Sequence, residues 1–371
     1  MSRYYYYLIF INMVANIIAS VPSILYQSHK EGSVSSMILG LVAGTILVTI
    51  YTRFFNAYPG MTLPDLLEKT TAKWFYKPFV LFLAFMWFIA GLITLATYTF
   101  LLIRFVTPEM PIIQVSLAII LYVIFGCLMR TERVLYTIEL ILLVTLPLIL
   151  FIFYKTYSSD SLEWDFVKEA ALYVNQLPNL SSFSASFFLF LGVVNLFMFN
   201  RFFTMKQNFK WKHVAIIAII STLNLFTTYF IPIGYNGFEN IDELVYPWIS
   251  TSDSIRMEYF MIERVLFVFL LFYLGIAFVS IMIHWHVAIE FLKFVFDFEK
   301  IKFKGFKIGK FIPIPFFIGA SLLTVVKLNE YQLFRFSSIF YNLLIFFFPS
   351  MIILFFFIKR SMKNAKQAKQ N

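Results

Sequence analysis

The chain has one cysteine, Cys127, in 371 residues, and only 13% of its residues are charged. A single thiol excludes a disulfide framework within the chain. So few charges exclude an ordinary soluble domain, in which about a quarter of residues are Asp, Glu, Lys or Arg. Motifs that carry chemistry are missing too. There is no HExxH, no paired-cysteine metal site and no GxxxxGK[ST] phosphate cradle. No serine, histidine and acid combination suggests nucleophilic catalysis, so the residues support neither an enzyme nor a bound cofactor. His284 and His286 lie two apart, which on a helix points them nearly opposite ways and argues against a shared metal ion.

What the chain has in quantity is apolar length. Hydrophobic residues make up 60% of it, and its mean hydropathy is +0.80. A bilayer core takes about 20 apolar residues per helix. Ten stretches meet that requirement: residues 4–26, 34–55, 78–105, 111–129, 134–154, 180–203, 213–232, 262–290, 311–326 and 337–358. The ninth is short and carries Pro313 and Pro315. An all-α integral membrane protein with one membrane domain, residues 1–358, is expected, followed by a basic, frayed tail, 359–371. The N-terminus runs directly into the first span, with no cleavage site to suggest a removed signal peptide.

The net charge of +10 would admit nucleic acid as a partner, but its distribution points elsewhere. With both termini on the cytoplasmic side, 22 of the 30 Lys and Arg residues fall in cytoplasmic segments. That asymmetry is the positive-inside pattern, and it requires an even number of spans. The basic loops also suit anionic lipid headgroups, the loop over residues 300–310 most of all. The 49 Phe and 21 Tyr read as lipid-facing filler and interfacial belts.

Ten spans divide as five plus five, about 4–155 and 180–358, joined by an acidic outer loop. An odd number per half means that the second half enters from the opposite face. This is the inverted repeat of many secondary transporters, whose first helices are often broken at the midplane. Spans 1 and 6 are the corresponding helices and are the richest in small and polar residues: Asn12, Ala15, Asn16, Ala19, Ser20 and Pro22 in one, Ser181, Ser182, Ser184, Ser186, Gly192, Asn195 and Asn200 in the other. Site lining and close helix packing are both consistent with that. Trp87, Gly91, Thr94 and Tyr98 share a face of span 3, and Tyr273, Ala277, Ser280 and His284 share a face of span 8. Glu139 reads as an interfacial partner of Arg130 or Arg133, with a proton relay as the alternative. Glu263 opens span 8, where a carboxylate suits the helix dipole. The stretch 236–259 reads as a solvated outer loop, with an interfacial helix as the alternative.

Several short motifs in order carry a resemblance. They are Pro22 closing span 1, Tyr58-Pro59-Gly60-Met61-Thr62-Leu63 with Asp65 after span 2, Pro108 before span 4 and Gly192 in span 6. Last come Tyr246-Pro247 and Phe260-Met261-Ile262-Glu263-Arg264 at span 8. In these the chain resembles, over nearly its whole length, the B-subunit permeases of spore-germination nutrient receptors. Those are ten-helix relatives of the amino acid–polyamine–organocation transporters. The resemblance implies a broken-helix, LeuT-like fold, recognition of a small nutrient such as an amino acid, and an A-type membrane subunit and C-type lipoprotein as partners in the spore inner membrane. Two departures stand out. Ala15 and Ile17 occupy positions where relatives often carry glycine, and Asn195 stands where they often carry glutamate. Both count against a standard amino-acid site.

Three readings follow: a nutrient-sensing receptor subunit, a stand-alone secondary amino acid transporter, and a membrane scaffold without ligand. The absence of a carboxylate in the middle of spans 1, 3, 6 and 8 favours sensing. The candidate ligand-binding residues are Ala15, Asn16 and Ala19 on span 1, Ser184, Ser186 and Asn195 on span 6, Gly91 and Thr94 on span 3, and Tyr273 and Ala277 on span 8. Membrane lipids are further expected partners.

Overall fold

A computed structural model describes residues 2–18, 20–255, 265–298, 301–303 and 306–367, with only the backbone at 302, 303, 306, 307 and 366. Outside loops and turns, the described residues are helical apart from a two-residue-per-strand hairpin, β1 (Lys302–Phe303) with β2 (Phe306–Lys307). In chain order the helices are α1 (Arg3–Ala15), α2 (Ser20–Tyr26), α3 (Ser33–Asn56), α4 (Leu63–Thr70), α5 (Lys73–Phe105), α6 (Ile112–Cys127), α7 (Thr131–Tyr157) and α8 (Trp164–Ala171). There follow α9 (Leu180–Phe188), α10 (Leu196–Phe199), α11 (Trp211–Asn236), α12 (Pro247–Ser254), α13 (Val265–Phe296), α14 (Ile314–Lys327) and α15 (Glu330–Gln367).

Among the described residues, eight helical segments are long and apolar enough to cross a membrane. The pair α1 and α2, bent by 56°, would make another if counted as one span, and α6 is a shorter apolar helix. The prolines that shortened the ninth stretch start α14 rather than break it: Pro313 is its N-cap and Pro315 lies in its first turn, where a missing N–H costs nothing.

Burial sorts the spans. In the segment Leu180–Phe202, 94% of the most apolar window is buried, against 33% in α7. That segment therefore runs through the middle, and α5 and α13 pack along each other beside it. Large side chains on the outer helices face outward, among them Leu121, Phe125, Leu143 and Phe346, as lipid contact requires. The aromatics are not only filler, however. Tyr51, Phe55, Phe197 and Phe355 form one interior cluster, with Trp87 against Phe197 at 5.5 Å between ring centroids.

One end of the bundle gathers the basic loops. There Asn200 donates its amide to the carbonyls of Tyr58 and Met61, each at 2.8 Å, and Gly60 N–H reaches Phe203 O at 2.8 Å. Gly60 has φ +74°, a left-handed value natural to glycine. Thr62 and Asp65 then cap α4 reciprocally. Glu139 also lies at this end, but it pairs with Arg3 at 2.6 Å and accepts the Tyr4 hydroxyl at 2.6 Å. It does not pair with Arg130 or Arg133, because the start of α1 crosses α7 and brings Arg3 closer.

Two polar segments are more ordered than their composition implies. The stretch 236–255 holds α12, whose Trp248, Ile249, Thr251 and Ser252 are buried, so it is packed and not a solvated loop. The basic tail continues α15 as helix through Gln367. Glu263, Arg264 and the rest of the span 8 motif lie outside the described residues.

Candidate functional site

The first span stops being a helix at Asn16. In an α-helix the Asn16 N–H would bond the Asn12 carbonyl, four residues back. Here Asn16 N–H turns to Met13 O at 3.3 Å, and the Asn16 side-chain amide takes over Asn12 O at 2.6 Å. The side chain thus satisfies the carbonyl that the break orphans. The chain resumes as α2 at Ser20, whose hydroxyl lies 2.7 Å from the Tyr341 hydroxyl of α15.

The sixth span alters differently. After α9 it winds as a 3-10 helix over Leu189–Asn195, returns to α10, and tightens again over Asn200–Phe202. The change of pitch shifts the backbone partner of each carbonyl from four residues on to three, and the carbonyls at the junction keep a second lone pair for bonds from outside. Asn12 supplies them from the first span, donating to Phe188 O at 2.7 Å and Leu189 O at 3.3 Å. Gly192 permits the approach: a Cβ there would lie 2.4 Å from Leu8 O and 2.7 Å from Ile9 O.

Beside the 3-10 segment of the sixth span, and one turn before the break in the first, there is a small chamber of about 30 Å³. Its polar lining residues are Asn12, Trp87 and His284, and its walls include Phe188, Leu191 and Phe348. Trp87 donates its indole N–H to Asn195 Oδ1 at 2.9 Å, and His284 Nδ1 lies 2.6 Å from Ser280 O. Phe188 stacks on Tyr341 at 3.9 Å between centroids, so the Ser20–Tyr341 contact and this stack stand together beside the break.

None of the ten candidate ligand-binding residues is among those that line this chamber. Ala15 ends α1 and is buried, Asn16 caps it, and Ala19 lies outside the described residues. Asn195 touches the chamber through Trp87. Ser184 donates to Asn342 and to Ser181 O, and Ser186 to Ser182 O. Gly91 abuts Trp285, where a Cβ would meet the indole at 2.5 Å, and Thr94 bonds its own helix at Ala90 O. Tyr273 is fully buried. Ala277 lines a different, apolar crevice between α5, α6 and α13, with Tyr98 and Phe278.

Asn12, Trp87 and His284 thus line the chamber directly, and the apolar walls from α9, the 3-10 segment and α15 carry no polar signal in the sequence. Asn12 lay four residues before Asn16, a spacing that marks a shared helical face. His286 turns away, with Nδ1 at 2.9 Å from Cys127 O and Nε2 at 3.1 Å from Thr131.

A family model described as "Spore germination protein", the spore permease family, matches residues 3–327. The chain belongs to the spore germination permease family. The match ends with α14 and leaves α15 outside it, although α15 supplies Tyr341, Phe340, Leu344 and Phe348 to the chamber and its surroundings. No curated protein gives a significant match. As a spore germination permease the chain is a multi-pass membrane protein, and its Tyr58–Asp65 motif is the structure that Asn200 clamps to the end of the sixth span.

Proposed function

We propose that this permease-family protein is the membrane subunit of a spore nutrient receptor, and that it senses a small nutrient, an amino acid by preference, at the junction of its two broken spans. The membrane topology under this reading is ten spans in two inverted halves, with both termini and the basic end in the cytoplasm. One observation carries the proposal. Two interrupted spans run side by side at a chamber of about 30 Å³, while ligand pockets generally span about 300–1,000 Å³.

A nutrient therefore fits only a second conformation in which the spans separate. A ligand that binds one conformation and not the other shifts their populations, and that shift is what neighbouring A-type and C-type subunits would read. The lack of an acidic residue in the chamber lining supports sensing over proton-coupled transport.

The test fills the chamber without removing a hydrogen bond. Spores carrying Ala90→Val, with the protein level checked by immunoblot, should lose most of their response to the activating nutrient. A full response from the variant would refute the site. Net amino-acid flux by the purified chain in proteoliposomes would instead identify a stand-alone transporter.

A further inference from the structure

At the basic end lies an open basin of about 760 Å³, far larger than the central chamber. Four cations line it, Arg130, Arg201, Lys293 and Lys310, against two carboxylates, Glu132 and Glu290. Glu290 is already engaged by two of them: Arg201 approaches it at 3.0 Å and Lys293 bonds its other oxygen. Arg130 and Lys310 have no ion-pair partner among the described residues. The basin thus presents uncompensated positive charge, and α7 begins at its wall with no side-chain cap.

A second cavity adjoins it. This groove of about 540 Å³ is apolar, formed by Leu81, Phe82 and Phe85 of α5, Leu292 of α13, and Pro313 and Phe316 around the start of α14. Phe85 and Phe316 are each more than half exposed, on helices that face lipid. Phe298 lines both cavities, so the cationic basin and the apolar groove adjoin on the two sides of one side chain.

We propose that this pair of cavities is a binding site for an anionic glycerophospholipid, a function separate from the nutrient site. The phosphate and headgroup sit in the basin against Arg130 and Lys310, and an acyl chain lies in the groove past Phe298. A soluble phosphate would use the basin alone and leave the groove without a role. A neutral lipid would use the groove and leave the cations unpaired. Only a molecule with both parts matches both cavities, and basic pockets on the cytoplasmic side of membrane proteins suit such headgroups.

The test uses the full chain, purified and delipidated in mild detergent, with bound lipid counted by native mass spectrometry. Each cation near an anionic headgroup is worth roughly five-fold in affinity, so two give roughly thirty-fold. Dioleoyl phosphatidylglycerol should bind roughly thirty-fold more tightly than dioleoyl phosphatidylcholine. The Arg130→Gln/Lys310→Gln double variant should abolish most of that preference, and Phe85→Asn should weaken both lipids. Equal binding of the two lipids by the parent protein overturns the proposal whether or not the variants fold. So does a preference that survives in the double variant. Displacement of the glycerol lipid by millimolar inorganic phosphate, with no effect of Phe85→Asn, would assign the basin to a soluble anion and overturn the lipid site.

Discussion

In the first span the helix stops outright after Ala15 and resumes at Ser20. In the sixth the chain stays helical and only tightens, over Leu189–Asn195. The first break repairs itself locally, because Asn16 reaches back four residues to the Asn12 carbonyl. The second break is repaired from outside, because Asn12 reaches across 176 positions to Phe188 O. One asparagine pair thus serves both interruptions, and the two spans cannot separate without breaking the Asn12 bonds to the sixth. The difference shows how a break without glycine is held: amide side chains, in place of water or a flexible backbone, satisfy the freed groups.

The largest effect should come from the contact that allows this exchange. Gly192→Ala would press a methyl into the backbone of Leu8 and Ile9, which cannot rotate away as a side chain could. Overpacking of this kind costs about 1–3 kcal/mol or more, so thermal unfolding in detergent should fall by several degrees. Gly319→Ala is the matched control, since nothing lies within 4 Å of the added atom, and it should leave the transition in place or raise it slightly. Equal behaviour of the two variants would break the claim that backbone contact joins the spans.

Asn12→Leu comes next. It removes the donor of two hydrogen bonds to buried carbonyls, each worth about 0.5–1.5 kcal/mol net. The same unfolding assay should show a clear loss, accompanied in spores by loss of the nutrient response. Asn16→Leu disturbs only the local repair, worth about 0.5–1.5 kcal/mol for one hydrogen bond. If Asn16→Leu proved the more damaging of the two, the first break would govern the second and the comparison would reverse.

The smallest effect lies at the far end, where Lys30 beside the first span pairs with Glu239 beyond α11 at 2.5 Å. The Lys30 ammonium holds the Glu239 carboxyl below its ordinary value of 4.5. A depressed carboxylate adds stability above its unfolded pKa and loses it as pH falls through the folded value. The melting difference between the parent and Glu239→Gln should therefore be small at pH 7, begin to shrink as pH falls below 4.5, and vanish once pH lies below the depressed folded value. A difference that persisted in acid would place the effect of the substitution elsewhere than in this pair.

Much of the span layout was readable because apolar length is a local property. The stretch 134–154 became α7, Thr131–Tyr157, and 34–55 became α3, Ser33–Asn56. The packed α12 was not readable, since Pro247-Trp248-Ile249-Ser250-Thr251-Ser252 has the composition of a loop and is buried only because neighbouring helices cover it. Glu139 was legible as a paired carboxylate, but its partner was sought among arginines near in sequence, and Arg3 lies 136 positions away.

The chemistry around the chamber divides the same way. The small and polar character of spans 1 and 6 was visible as composition. That Asn12 and Trp87 line the chamber, while Gly91 packs on Trp285 and Thr94 bonds its own helix, depends on how α5 and α13 rotate against each other. By itself the sequence determined the membrane class, the family motifs and the approximate place of most spans, because each rests on residues close in the chain, while α4, α8, α12 and the long extension of α15 at both ends were not legible in it. The tertiary structure alone decided which polar groups meet, how small the chamber is, and that a cationic basin lies beside an apolar groove. Those are properties of distance in space between segments whose separation along the chain carries no record of it.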